Sequence, residues 1–197
     1  IPRLREAAAA AGFENVEARV ADLEQFDLPP ESVDGVYGRW VLMYLPEREA
    51  RALATRIAKW LRPGGACVLA EFCIFRHISI HPPMEEFGLV TEALMGAAAG
   101  EGGGNPEIGC LLPGLLHGSG LDVELSVATK AIRPATKDWR WPDTLFRQIL
   151  PTLVDKGLLA GKTKDDFMAQ WEERSRDPSA MFFSSPVLEV IGRRRPR

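Results

Sequence analysis

Two near-continuous apolar runs, Val33 to Val41 and Ala66 to Phe72, lie on either side of an amphipathic stretch, and Leu61-Arg62-Pro63-Gly64-Gly65 turns the chain between that stretch and the second run. No other part of the chain constrains the fold so tightly. Strands that are apolar along their whole length are the kind buried on both faces, and such strands are usually parallel. Between them, Glu47 to Leu61 carries Ala50, Leu53, Ala54, Ile57 and Leu61 at helical spacing, and Pro63 with the two glycines ends it. A strand, a helix and a strand in that order form a crossover joining a parallel pair. A shorter segment, Val16 to Val20, alternates Val, Ala and Val with Glu17 and Arg19 and reads as a further strand with one side better buried. Sheets of this kind bind ligands outside the carboxyl ends of their strands. Asp22, Arg39, Trp40 and Glu71 all fall at those ends.

The flanking segments predict more helices and a closing pair of strands. Ile1 to Gly12 reads as a helix closed by its glycine, and Met84 to Ala98 as another. Gly100 to Gly104 follows as a connecting loop or lid, and Asn105-Pro106-Glu107 is a suitable cap for a helix through Leu116. Leu121, Val123, Leu125 and Val127 alternate as a strand, and Val187 to Ile191 forms the last one. Between them, Pro134 to Pro186 carries helical signals at Asp143 to Leu150 and from a Thr163-x-x-Asp166 cap to Arg174. The region reads as a helical insertion before the final strand. Its aromatics, Trp139, Trp141, Phe146, Trp171, Phe182 and Phe183, either line an apolar pocket or bury a helical hairpin.

With 197 residues, 46% of them hydrophobic, the chain is long enough for one sizeable core, and residues 1–197 read as one domain. A formal net charge of −3 and a pI near 5.7 provide no global attraction for nucleic acid or anionic lipid. The closing run Arg193, Arg194, Arg195 and Arg197 reads as a solvated tail. Cys67, Cys73 and Cys110 lack C-x-x-C spacing and suggest buried thiols in a reducing cytoplasm. No apolar run approaches the roughly 20 residues of a membrane span, and Ile1 opens neither a signal peptide nor a chain beginning on Met. The expected partner is therefore a small molecule, without nucleic acid or membrane.

Four stretches in order point to a family: Ala21-Asp22-Leu23, Leu28-Pro29-Pro30-Glu31-Ser32-Val33-Asp34-Gly35-Val36, Arg39 to Leu45, and Leu61-Arg62-Pro63-Gly64-Gly65. Together they resemble the latter part of the class I S-adenosylmethionine-dependent methyltransferases, most closely the small-molecule enzymes of the ubiquinone and menaquinone biosynthesis type. Gly104-Asn105-Pro106-Glu107-Ile108-Gly109 extends the similarity less specifically. The resemblance implies an α/β fold with a Rossmann-like, doubly wound sheet, S-adenosylmethionine as cofactor, and methyl transfer to an oxygen, nitrogen or carbon nucleophile. It also places the family's glycine-rich turn and ribose-binding acid upstream of Ile1, so the chain reads as a fragment truncated at its N-terminus. The loop Gly100 to Gly104 is no substitute, because it follows a helix and lacks a phosphate-binding Lys-Ser/Thr.

The resemblance then assigns roles. Asp22 would accept a hydrogen bond from the adenine amino group while Leu23 packs on the ring; without the resemblance, Asp22 is equally a turn or helix-cap aspartate. Arg39, Trp40 and Tyr44 would lie near the methionine part of the cofactor and the transferable methyl, with Tyr44 able to orient a nucleophile and Trp40 equally suited to core packing. His77 is the candidate base for a phenol or amine acceptor. His77 and His81 would share one face of a helix, but Pro82 and Pro83 argue for irregular chain and no further metal ligand stands at a typical spacing. Asp34, at the far end of its strand, reads as structural. Two rivals remain: a non-catalytic binding or regulatory module with the same sheet, and a nicotinamide-dependent oxidoreductase. The latter is disfavoured by the antiparallel-looking last strands and by Val41 and Arg48 standing where a Tyr-x-x-x-Lys pattern needs lysine.

Overall fold

The computed structural model describes residues 2–100 and 102–197; Ile1 of the expected first helix and Glu101 of the expected loop lie outside them. In chain order the elements are α1 (Pro2–Ala10), β1 (Val33–Arg39), α2 (Glu47–Trp60), β2 (Leu61–Phe72), β3 (Ser79–His81), α3 (Phe87–Ala99), α4 (Leu112–Gly118), β4 (Asp122–Ala128), β5 (Ala131–Ile132), α5 (Arg140–Asp155), α6 (Gly161–Arg176), β6 (Met181–Phe183) and β7 (Val187–Arg193).

The main sheet has the order β1-β2-β7-β4. β1 and β2 are parallel with Arg39 beside Ala70, as the crossover requires, and β2–β7 and β7–β4 are antiparallel. Strand alternation sorts its side chains into two faces. Cys67, Leu69, Leu188 and Val190 are buried on the face where α2 and α4 pack. α2 contributes Ala50, Leu53, Ala54 and Ile57 of the expected apolar stripe to that layer, with Trp60 in addition, while Leu61 opens β2. Gly192 stands where a Cβ would come within 3.0 Å of Leu121 and Cys67. The opposite face carries Arg39, Ala70, Phe72, Val187 and Glu189.

α3, α5 and α6 build a second layer with the small sheet β3-β6-β5. Its core is aromatic. Phe146, Phe167, Trp171 and Phe182 are fully buried, and Trp139 stacks on Trp171 at 4.7 Å. Most of the insertion's aromatics therefore bury helices rather than line a pocket.

Several expectations require correction. Val16–Val20 forms no strand: it has no ladder partner among the described residues, and Val20 is 88% exposed. Without paired backbone groups an extended segment is not a strand. β2 begins at Leu61, because Leu61 pairs with Val33 before a bulge at residues 62–65 restores the register at Ala66. Asn105 does not cap a long helix; its side chain accepts the Glu107 amide at 2.9 Å, and a short 3-10 turn, Ile108–Cys110, precedes α4. Thr163 lies inside α6 rather than capping it. Cys67 and Cys73 are buried, but Cys110 is exposed. The arginine run is not a free tail: Arg193 pairs with Glu124, Arg195 with Asp122, and Arg194 and Arg197 with Glu31. No described helix is long and apolar enough to cross a membrane.

Candidate active site

The carboxyl ends of β1 and β2 open into a cavity of about 800 Å³ on the sheet face opposite α2. Its floor is made by Arg39, Trp40, Ala70 and Phe72, and its far wall by Lys130, Lys137, Arg140 and Trp141, which follow β4 and open α5. This is where a parallel α/β sheet binds its ligand.

Trp40 is the centre of the floor. It takes φ +53, a left-handed conformation rare for a bulky side chain. Its backbone amide donates to the Ala70 carbonyl at 2.9 Å, extending the β1–β2 ladder one step, after which the chain turns sharply. The indole stacks on Phe72 at 5.1 Å and lies 6.3 Å from Trp141, and the Arg39 guanidinium sits 4.1 Å above its ring. Trp40 Nε1 is buried without an acceptor among the described residues. A buried donor left unpaired is costly unless a ligand completes it.

The turn is held from below by Glu71. Ala70 and Phe72 face the cavity, so Glu71 projects through the other side of the sheet. It is wholly buried, and its Oε1 accepts the backbone amides of Val41 at 2.7 Å and Leu42 at 2.8 Å. Burial pushes its carboxyl above the usual range, and those amides only partly oppose the shift. Two glycines close the shell. A Cβ on Gly104 would lie 2.6 Å from the Met43 carbonyl oxygen, and one on Gly109 would lie 2.6 Å from that of Phe72. The two ends of the Gly104–Gly109 segment are thus glycine because each abuts backbone, Gly104 that of the short helix after the turn and Gly109 that of the end of β2.

Of the residues given a cofactor or base role in the sequence, the cavity gathers only Arg39 and Trp40; of the insertion's aromatics it gathers Trp141. Asp22 is exposed on a turn, where its carboxylate accepts the Glu24 amide at 2.9 Å and the Gln25 amide group at 3.1 Å. The neighbouring Leu23 is half-buried, and its carbonyl accepts a hydrogen bond from Arg56. Tyr44 is 65% exposed in the short helix after the turn, and His77 is exposed in another before β3; neither lines the cavity. His81 lies in β3 rather than on a helix with His77, and Asp34 pairs with Arg62 at 2.7 Å. Sequence reasoning passed over the wall cations Lys130, Lys137 and Arg140. Their clustering within one short connection was a visible signal, but nothing in their spacing tied it to the strand ends.

Comparison with known proteins agrees with this architecture. Residues 1–65, from the first helix to the Leu61–Gly65 turn, match the model of a methyltransferase domain family. The YcgJ protein of Bacillus subtilis superposes over 100% of this chain and 79% of its own with a TM-score of 0.58 at 13% identity. A candidate methyltransferase from Bacillus halodurans C-125 superposes over 97% and 77% with a TM-score of 0.56 at 14% identity. The chain has the class I methyltransferase fold. A 63-residue stretch is 41% identical to phosphoethanolamine N-methyltransferase 1 of Triticum aestivum. That stretch is 31% of this chain and 13% of the relative's length.

Proposed function

We propose that this methyltransferase-fold protein transfers the methyl group of S-adenosylmethionine to a small-molecule acceptor bound in the cavity at the ends of β1 and β2. The supporting observation is the Arg39–Trp40 turn: a strained conformation, held from beneath by Glu71, that sets Arg39 and Trp40 in the cavity floor. Structure stores strain of this kind where it shapes a binding site.

The residues present suit the methionyl end of the cofactor. Arg39 and Trp40 Nε1 are donors without acceptors among the described residues, which suits a carboxylate. Asp22 and Leu23 would meet the adenine end, the Asp22 carboxylate having further acceptor capacity beyond its turn. When bound, S-adenosylmethionine supplies a methyl carbon on a sulfonium, already activated, whose transfer leaves a neutral thioether. The chain's own contribution is then alignment and exclusion of water: the Trp40, Phe72 and Trp141 rings form a dry, rigid surface against which two ligands are held. In this reading, Tyr44 and His77, outside the cavity, take no part in proton transfer.

Calorimetric titration of S-adenosylmethionine and S-adenosylhomocysteine into the longest natural chain containing this sequence tests the reading. Saturable binding, weakened about tenfold when Trp40→Phe removes the indole donor, is expected. A folded protein that binds neither compound would overturn it and leave the non-catalytic module as the better description.

A further inference from the structure

The far wall of the cavity carries more positive charge than a methyl donor alone would use. Four cations, Arg39, Lys130, Lys137 and Arg140, line the cavity against two carboxylates, Asp138 and Glu189, in a chain whose formal net charge is −3. Pairing is the rule elsewhere: at least twelve arginines have a carboxylate within 4.0 Å. On this wall Lys130 is paired with Asp138 at 3.2 Å, while Lys137 and Arg140 have no carboxylate partner among the described residues. Arg140 is the first residue of α5 and adjoins Trp141, whose ring lies 6.3 Å from that of Trp40. A ligand with its reacting end against the indole floor would therefore have its other end near an uncompensated guanidinium and ammonium.

We infer that the methyl acceptor is an anion, a small phosphate or carboxylate whose charged group is held by Lys137 and Arg140 while its nucleophile rests against Trp40 and Trp141. The inference rests on the methyltransferase reading and specifies its substrate class. A guanidinium on the cavity wall offers the paired donors that planar carboxylates and phosphates accept. Local positive charge in a negatively charged chain also draws anions to this face, an attraction that weakens as salt rises.

The test uses matched ligand pairs: phosphoethanolamine with ethanolamine, and 4-hydroxybenzoate with 4-hydroxybenzyl alcohol. Binding is read by calorimetry with S-adenosylhomocysteine present and absent, at low and high salt. The anionic member of at least one pair should bind about tenfold or more tightly than its counterpart, less so in high salt. A Lys137→Ala/Arg140→Ala variant should lose that preference while keeping its melting temperature and binding S-adenosylhomocysteine within about twofold of wild type. The inference is overturned if neither pair discriminates, or if the double variant keeps the preference. It is also overturned if the variant loses S-adenosylhomocysteine instead, since the two cations would then serve the cofactor's carboxylate. Failure of wild type to bind S-adenosylhomocysteine would count against the methyltransferase reading, and the anion preference measured without it would still be read independently.

Discussion

Glu71 Oε1 accepts the backbone amide of Leu42 at 2.8 Å, joining the buried end of β2 to the turn that carries Trp40. The same oxygen takes the Val41 amide at 2.7 Å, so one carboxyl group satisfies two donors that the turn leaves free. Glu71→Ala strands both in a buried setting and should cost about 3 kcal/mol, at about 1–3 kcal/mol for each unpaired group. Glu71→Gln keeps the acceptor oxygen and should recover most of that loss. Urea denaturation of the three proteins measures both effects.

The same carboxyl predicts a pH dependence with a definite sign. Burial raises its folded-state pKa, so its favourable contribution is complete below the unfolded carboxylate value and is lost as pH rises through the folded one. From about pH 4 upward, wild type should lose stability relative to Glu71→Gln, which has no such proton to release. A stability difference independent of pH would show that Glu71 is charged in the folded protein throughout that range.

Trp40 allows backbone strain to be separated from side-chain packing. At φ +53 a glycine is unstrained and an alanine is not, while both remove the stack on Phe72. Trp40→Gly should therefore be more stable than Trp40→Ala by about 1 kcal/mol, whereas at ordinary extended or helical positions glycine is the worse of the two. Equal stability would mean that the turn relaxes out of the left-handed conformation once the indole is gone.

The parallel pair, its crossover helix and the strand ends at which the candidate cavity opens were legible because each rests on local pattern. β2 is an apolar run and α2 has a clean stripe, whereas β1, expected to be buried on both faces, lies at the sheet's edge with none of its residues buried and is legible through the crossover. What escaped depended on contacts between distant segments. Val16–Val20 has strand chemistry but no described partner. β3, β5 and β6 are two or three residues long and exist only because β6 pairs with both β3 and β5. Asp22 and Trp40 looked alike as strand-end residues. The fold turns one outward into its own local hydrogen bonds and sets the other in the cavity floor.

Gly109 shows the same dependence on distant backbone. A Cβ there would lie 2.6 Å from the Phe72 carbonyl oxygen and 2.9 Å from that of Glu71, and backbone cannot give way as a flexible side chain can. Gly109→Ala should destabilise the fold by about 1–3 kcal/mol, the usual cost of overpacking. It should also disturb the Trp40 turn by displacing the end of β2. Gly114→Ala, on α4 with open space around it, is the matched control and should be neutral or slightly stabilising. Thermal melts with near-ultraviolet circular dichroism of the stacked indoles distinguish the two.

Arg194 closes the opposite end of the sheet. Its Nη1 donates to the carbonyl oxygens of Ala58 at 3.2 Å, Lys59 at 3.2 Å and Leu61 at 2.6 Å, and its Nη2 to Glu31 at 2.9 Å. Two of those carbonyls belong to the last turn of α2, where helix geometry leaves acceptors unpaired and a cation is favoured. The contacts fan out from one planar group, so an ammonium on a flexible stem cannot make them together. Arg194→Ala should cost about 2 kcal/mol, within the range for hydrogen bonds to a charged group, and Arg194→Lys should recover less than half of it. Arg193→Ala and Arg195→Ala remove exposed pairs with Glu124 and Asp122 and should each leave the melting temperature nearly unchanged. Equal losses at 193, 194 and 195 would mean that the run acts through its summed charge, and salt-dependent melts would then show all three falling together.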